Sequence, residues 1–147
     1  MDAPCSSRVS FTFRIRSSYS PYSLDMPKIF TSSSGKPILV GRDKNDNSRL
    51  TSRARPYCLF FHASDFSGSH VILKLHEGQS ATRDDILDAA CLAAYYSKGR
   101  DRKVVLVDYT KRNNVKQIKG FPGLVELLSF KTIKVKASDI KHRNFIS

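Results

Sequence analysis

Short apolar runs alternate with polar punctuation from Met26 onward. Lys28–Thr31 predicts a short strand, closed by the loop Ser32-Ser33-Ser34-Gly35. Residues 37–41 (Pro-Ile-Leu-Val-Gly) predict a second strand, ended by glycine. Residues 43–50 are polar and predict one or two helical turns with Asp43 as N-cap. Residues 57–62 form an apolar run of strand length, the pattern of a buried strand. Residues 69–75 carry Val71, Ile72, Leu73 and Leu75 and predict another strand. Between them, residues 63–68 have the length and the glycine of a hairpin loop.

The helix that follows has the plainest signals. Thr82 precedes Arg83-Asp84-Asp85, so a capping side chain and an acid three residues later predict a capping-box start. Asp84, Asp85 and Asp88 lie near the positive end of the helix dipole. Ile86, Leu87, Ala90, Cys91 and Ala94 fall on one stripe. Lys98 then sits in the last turn, and Gly99 supplies the stop. Residues 103–110 are a β-branched run and predict the strongest strand. A basic segment at 111–119 and the turn cluster Gly120-Phe121-Pro122-Gly123 come next. Residues 124–128 and 132–135 predict a closing pair of strands. The expected product is a single α+β domain, a mostly antiparallel sheet packed against one long helix.

Charge changes the picture from fold to partner. The 147 residues carry 25 Lys and Arg against 13 Asp and Glu, a formal net charge of +12. Residues 98–143 hold thirteen of the basic residues and four of the acids, so three quarters of the excess lies in the last third. Clustering of this kind predicts a basic face and a polyanionic partner, nucleic acid first and an anionic surface second. Cys5, Cys58 and Cys91 are odd in number and far apart, which argues against a disulfide framework and for a reducing compartment. No apolar stretch reaches the roughly 20 residues of a membrane span.

Residues 1–25 differ from the rest. They hold seven serines, Arg8, Arg14 and Arg16, and only Asp2 and Asp25 as acids. Three readings stand: a disordered leader, which is favoured, a transit peptide for organellar import, and an upstream start with Met26 as the effective first residue. Residues 26–147 form the expected domain.

With these residues laid out, the chain resembles the RNA-binding (R) domain of the NFACT family, over about residues 28–136. Four stretches carry the resemblance. They are Ile38-Leu39-Val40-Gly41-Arg42 with Asn47 and Leu50-Thr51; Phe60-Phe61-His62-Ala63 with Gly68-Ser69-His70-Val71; Asp88-Ala89-Ala90 through Ala93-Ala94-Tyr95-Tyr96-Ser97-Lys98; and Val107-Asp108-Tyr109-Thr110 with Val115-Lys116 and Pro122-Gly123-Leu124-Val125. Phe60 stands where the family commonly has tryptophan, and Cys58 where it commonly has an acid. The resemblance implies nucleic-acid binding, as in small stand-alone members. The family's large members act on stalled ribosomal subunits and tRNA. It implies no enzymatic activity here.

Candidate site residues fall into three groups. His62 and His70 flank the hairpin turn and are expected to hold it by hydrogen bonds or to touch RNA. With Cys58 they supply metal-ligand types, yet the spacing fits no closed zinc pattern, so neither a metal nor a cofactor is expected. The basic group is Arg100, Arg102, Lys111, Arg112, Lys116 and Lys119, joined by Arg42 from the first stretch. Phe66, in the turn, is the aromatic expected to stack on a base. There is no P-loop, no G-x-S-x-G elbow and no paired carboxylate in a glycine-rich turn, so no catalysis is expected. The sequence predicts a cytoplasmic, non-enzymatic binder of rRNA, tRNA or a ribosomal subunit. The alternative is an adaptor that docks on a ribosomal protein or translation factor. Phosphate contacts alone do not separate RNA from DNA.

Overall fold

The computed structural model describes residues 27–141, and its first element is the strand the sequence predicts, β1 (Lys28–Thr31). It pairs antiparallel with β2 (Pro37–Val40) across the serine loop. Then come helix α1 (Lys44–Arg53), β3 (Leu59–Ala63), β4 (Val71–Leu73) and helix α2 (Arg83–Tyr95). Strand β5 (Val104–Lys111) is followed by a single 3-10 turn, Arg112–Asn114. Strands β6 (Val115–Gln117), β7 (Val125–Leu127) and β8 (Lys131–Lys136) and the short helix α3 (Ala137–Lys141) complete the chain as described. The main sheet has six strands in the order β1-β2-β4-β3-β5-β8, every neighbour antiparallel. The expected leader at residues 1–25 lies outside the described residues.

Alternation along each strand divides the apolar residues between two faces. Phe61, Ala63, Val71, Leu73, Val105 and Val107 point to one side, where α2 covers them with its run from Ala89 to Ala94. Phe60 and Ile72 point to the other, against Leu50 of α1, Cys58 and Val115 of β6. Phe60 and Phe61 are adjacent and both fully buried, each on its own side. Each contributes about 2–3 kcal/mol by leaving water. Phenylalanine therefore fills the tryptophan position. Cys58 and Cys91 are buried and neither is in a disulfide.

The second covered face is what the sequence did not predict. Residues 124–128 and 132–135 do not close the fold as a pair. Instead β7 pairs with β6 in a separate two-stranded ribbon, while β8 pairs with β5 at the edge of the main sheet. The ribbon and α1 together cover the central β4–β3 part of the face opposite α2. Helix α1 runs ten residues rather than one or two turns, with the expected cap: Asp43 Oδ1 accepts from the Asp46 backbone N–H at 2.8 Å.

Both ends of α2 are tied to loops. At its start the capping box is present, Thr82 and Asp85 bonding each other's backbone N–H. Asp85 and Asp88 also reach the β1–β2 loop, accepting from the backbone and hydroxyl of Ser34 and Ser33 respectively. At its end the helix stops at Tyr95, before Lys98. Gly99 is not the stop. Ser97 closes the helix by donating its hydroxyl to the Ala94 carbonyl at 2.7 Å. Gly99 is glycine for another reason: a Cβ there would lie 2.4 Å from the Phe66 ring.

Candidate nucleic-acid interface

The Gly68-Ser69-His70 turn is built by close approach. Gly68 bridges Ser97, and a Cβ on it would lie 2.8 Å from the Ser97 Cβ. The Ser69 N–H donates to the Tyr96 carbonyl, and the Lys98 N–H to the Ser67 carbonyl. The turn therefore forms against the end of α2 and aims His70 to the opposite side of the sheet.

His70 is 1% exposed. Its Nε2 donates to the Gly123 carbonyl at 2.9 Å, which leaves Nδ1 to accept from the Thr51 hydroxyl at 2.8 Å. Its backbone N–H donates to Asn47 Oδ1. One residue thus joins the sheet, α1 and the ribbon. Burial, then the neighbouring His62, pull the ring down to a pKa of about 4; the hydrogen bonds to Gly123 and Asn47 oppose this only in part. The ring is neutral at pH 7 and both its nitrogens are engaged. His62 does approach it, edge to face at 5.6 Å between ring centroids. Burial also lowers the His62 pKa, against the pull of Ala63, Asp108 and Gly68. His62 keeps more access to solvent than His70.

Arg112 is likewise committed internally. Its Nε donates to the Thr51 carbonyl, Nη1 to the Val115 carbonyl at 2.8 Å, and Nη2 to Gln117 at 3.4 Å. Arg42 pairs with Asp46 at 3.2 Å. Phe66 lies on Gly99 with Arg102 over its ring at 5.5 Å, and Arg100 lies over Tyr95 at 4.1 Å. Arg100, Arg102 and Phe66 thus gather at one end of β5. Lys111 marks the other end, about 23 Å away at ~3.3 Å per residue. Lys116 and Lys119 are exposed on the ribbon.

To the basic group named from sequence the structure adds Lys44, Arg49, Arg53 and Arg55, in and just after α1. Residues 42–55, around α1, hold five basic residues against two acids. Residues 111–128, around the ribbon, hold four against one. These segments lie on the same side of the sheet. Beside them the sheet face is open: Val104 and Leu106 are 42% and 39% exposed, opposite Lys136 and Lys134 of β8. Among the described residues, Lys111, Lys116, Lys119, Lys134 and Lys136 form no ion pair. Asp108, on this open face, accepts from the Ser64 and Thr132 hydroxyls, each at 2.7 Å. Lys134 and Lys136 are visible as a face only once β8 is paired with β5.

No three His, Cys, Asp or Glu side chains among the described residues are grouped to hold a metal ion. Cys58 instead contacts the Leu75 carbonyl at 3.8 Å. No helix among them is long and apolar enough to cross a membrane.

Residues 26–124 match the family described as the NFACT protein RNA binding domain. The chain belongs to this family. It is 41% identical over 108 residues to the Rqc2 homolog RqcH of Bacillus subtilis, covering 72% of this chain and 18% of that protein. The Rqc2 homolog RqcH of Streptococcus suis is 37% identical over 119 residues, covering 78% and 21%. Coiled-coil domain-containing protein 25 of Bos taurus is 33% identical over 89 residues, covering 58% and 43%. The NFACT RNA-binding domain thus spans about a fifth of the length of these bacterial relatives. The solved structure of the C-terminal part of the fibronectin/fibrinogen-binding protein from Streptococcus suis superimposes with a TM-score of 0.71 at 33% identity, covering 80% of this chain and 49% of that one. The match to the family ends at Leu124, so β8 and its lysines lie beyond it.

Proposed function

We propose that this NFACT RNA-binding domain is a non-enzymatic module that binds rRNA or tRNA on a ribosomal particle in the cytoplasm. The observation that carries the reading is the asymmetry of charge. On the side of the sheet bearing α1 and the ribbon, Lys116, Lys119, Lys134 and Lys136 pair with no acid among the described residues, whereas the α2 side carries Asp84, Asp85 and Asp88 along with cations such as Arg83 and Lys111. The description of the family and its kinship with RqcH support RNA over DNA. Phosphate contacts supply most of the affinity, so sequence preference is limited.

In-cell crosslinking followed by sequencing of the bound RNA tests this. The comparison is wild type against a Lys111→Glu/Lys116→Glu/Lys119→Glu variant; Arg112 is left intact because its guanidinium holds the ribbon. Enrichment of rRNA or tRNA that the variant loses is the expected result. No RNA above background would overturn it. A second reading, docking on a ribosomal protein or translation factor, is supported by Leu124, Leu128 and Phe130, exposed at 53%, 64% and 52%. Capture of such a partner that survives nuclease would favour it.

A further inference from the structure

Phe66, the aromatic expected to stack on a base, is half-buried with its ring packed on Gly99. Phe60 and Phe61 are fully buried, and Tyr109 is stacked on Phe61 at 5.3 Å. Phe121 is different. It is 62% exposed and forms part of the wall of a groove between α1 and the tip of the ribbon.

We propose that this groove takes one unpaired nucleobase of the bound RNA, stacked on Phe121, with Lys119 at its phosphate. The inference rests on the RNA-binding reading and adds to it the form of RNA: single-stranded rather than fully paired.

Three features support it. The first is shape. The groove is shallow and largely open to solvent, with a volume of about 410 Å³. Ser48 and Ser52, one helical turn apart on α1, line the same groove as Phe121. The second is chemistry. A base needs an apolar face and polar groups at its edge. Phe121 supplies the face. The Ser48 and Ser52 hydroxyls supply the edge, with Gln117 between them. Gln117 is fixed, its Nε2 donating to the Ser48 carbonyl at 3.0 Å and its Oε1 accepting from the Ser52 hydroxyl at 2.8 Å. The Ser52 oxygen keeps its lone pairs for an incoming N–H. Lys119 lines the same groove, and the surrounding segments carry the net positive charge counted above, which suits a phosphodiester chain and not a cationic partner.

The third is rigidity. Gly120 and Gly123 have φ of +88° and +83°, a conformation that favours glycine, and they bracket Phe121-Pro122. The Phe121 N–H donates to the Ile118 carbonyl, and the Leu124 N–H to the Phe121 carbonyl. His70 holds the Gly123 carbonyl from beneath. The ring is displayed on a turn pinned to the core, so little entropy is lost when a base settles on it. His70 thereby acts on RNA as a positioning residue and need not touch it. In a duplex both faces of a base are already stacked, so only an unpaired base can enter.

The test uses a single-stranded RNA carrying 2-aminopurine and the same strand fully paired, titrated with the whole chain at one salt concentration. Wild type is compared with Phe121→Ala, Phe121→Tyr and Lys116→Glu/Lys119→Glu. The single strand should bind more tightly, with 2-aminopurine emission changed on binding. Phe121→Ala should weaken the single strand by roughly 10-fold and leave the duplex nearly unchanged, while Phe121→Tyr should bind like wild type. Equal affinities of wild type and Phe121→Ala for the single strand would overturn the inference while leaving RNA binding intact. Failure of both RNAs to bind wild type would overturn both readings. Retained RNA affinity together with loss of a nuclease-resistant protein partner in Phe121→Ala would assign the groove to protein. Because Phe121 is exposed, its variants should melt with wild type, so a loss of affinity reports the ring.

Discussion

The hydroxyl of Thr51 and Nδ1 of His70 lie 2.8 Å apart, both buried, joining the first helix to the sheet. Replacing His70 by Ala removes this bond and the one to Gly123, and leaves a buried hydroxyl and carbonyl to find other partners. We expect a loss of about 2–4 kcal/mol in urea unfolding. Undiminished stability would show that the bracket does not hold the layers.

The same ring sets a pH dependence. Its folded pKa, about 4, lies below the ordinary histidine value of ~6.5, so the unfolded chain takes up the proton first. Stability is full above pH ~6.5, falls as pH drops toward 4, and levels off below, for a total near 3 kcal/mol. His62, lowered in the same direction, adds to the slope. Unfolding free energies of wild type and His70→Asn, measured from pH 7.5 to 4.5, should converge as pH falls. Parallel curves would contradict the assignment.

Gly99 and Phe66 form a tight pair. Gly99→Ala should cost about 1–3 kcal/mol, because the added methyl meets the ring. In Phe66→Ala the obstacle is gone, so the double variant should be more stable than the sum of the two losses implies. Strict additivity in a double-mutant cycle would mean that the ring moves away at no cost.

Asp85 anchors the β1–β2 loop. Burial alone would raise its pKa; bonds from the Ser34 and Ser32 hydroxyls, the Thr82 backbone and Lys36 reverse this and hold the carboxyl well below its usual range. Its stabilisation is therefore present above pH ~4 and is lost only at lower pH. Asp85→Asn should destabilise by roughly 2–4 kcal/mol at pH 7 and speed hydrogen exchange in β1 and β2 before the rest of the sheet.

RNA affinity should fall steeply with salt, since each neutralised phosphate releases counterions. Lys116→Glu/Lys119→Glu should reduce the slope of log K against log salt by about 2. An unchanged slope would place the phosphates elsewhere, with Arg100 and Arg102 the next group to reverse.

The main sheet was readable because its strands carry local apolar runs bounded by Ser, Gly and Pro, and α2 because its cap residues are adjacent in sequence. The second layer was not. Helix α1 buries Asp46, Asn47 and Thr51 beside Leu50, so it has little apolar stripe to detect. The pairing of β8 with β5 rather than β7 depends on contacts distant in sequence, which short runs do not encode. His70 drew notice as a residue, but its partners are 19 and 53 positions away. Phe121 sat in a Gly-Pro turn and read as punctuation. Only the ribbon's placement beside α1 turns it into the wall of a groove.

The lysines of β8 also bear on how copies of this domain meet. Among the described residues β8 is an outermost strand of the sheet, with no strand on its far side. Lys131, Lys134 and Lys136 place three like charges within six residues. Two copies pairing along this edge would bring ammonium groups together along the seam, and the repulsion would outweigh the few hydrogen bonds gained. At high concentration the same cations proposed to meet a phosphate chain would keep the sheet from growing.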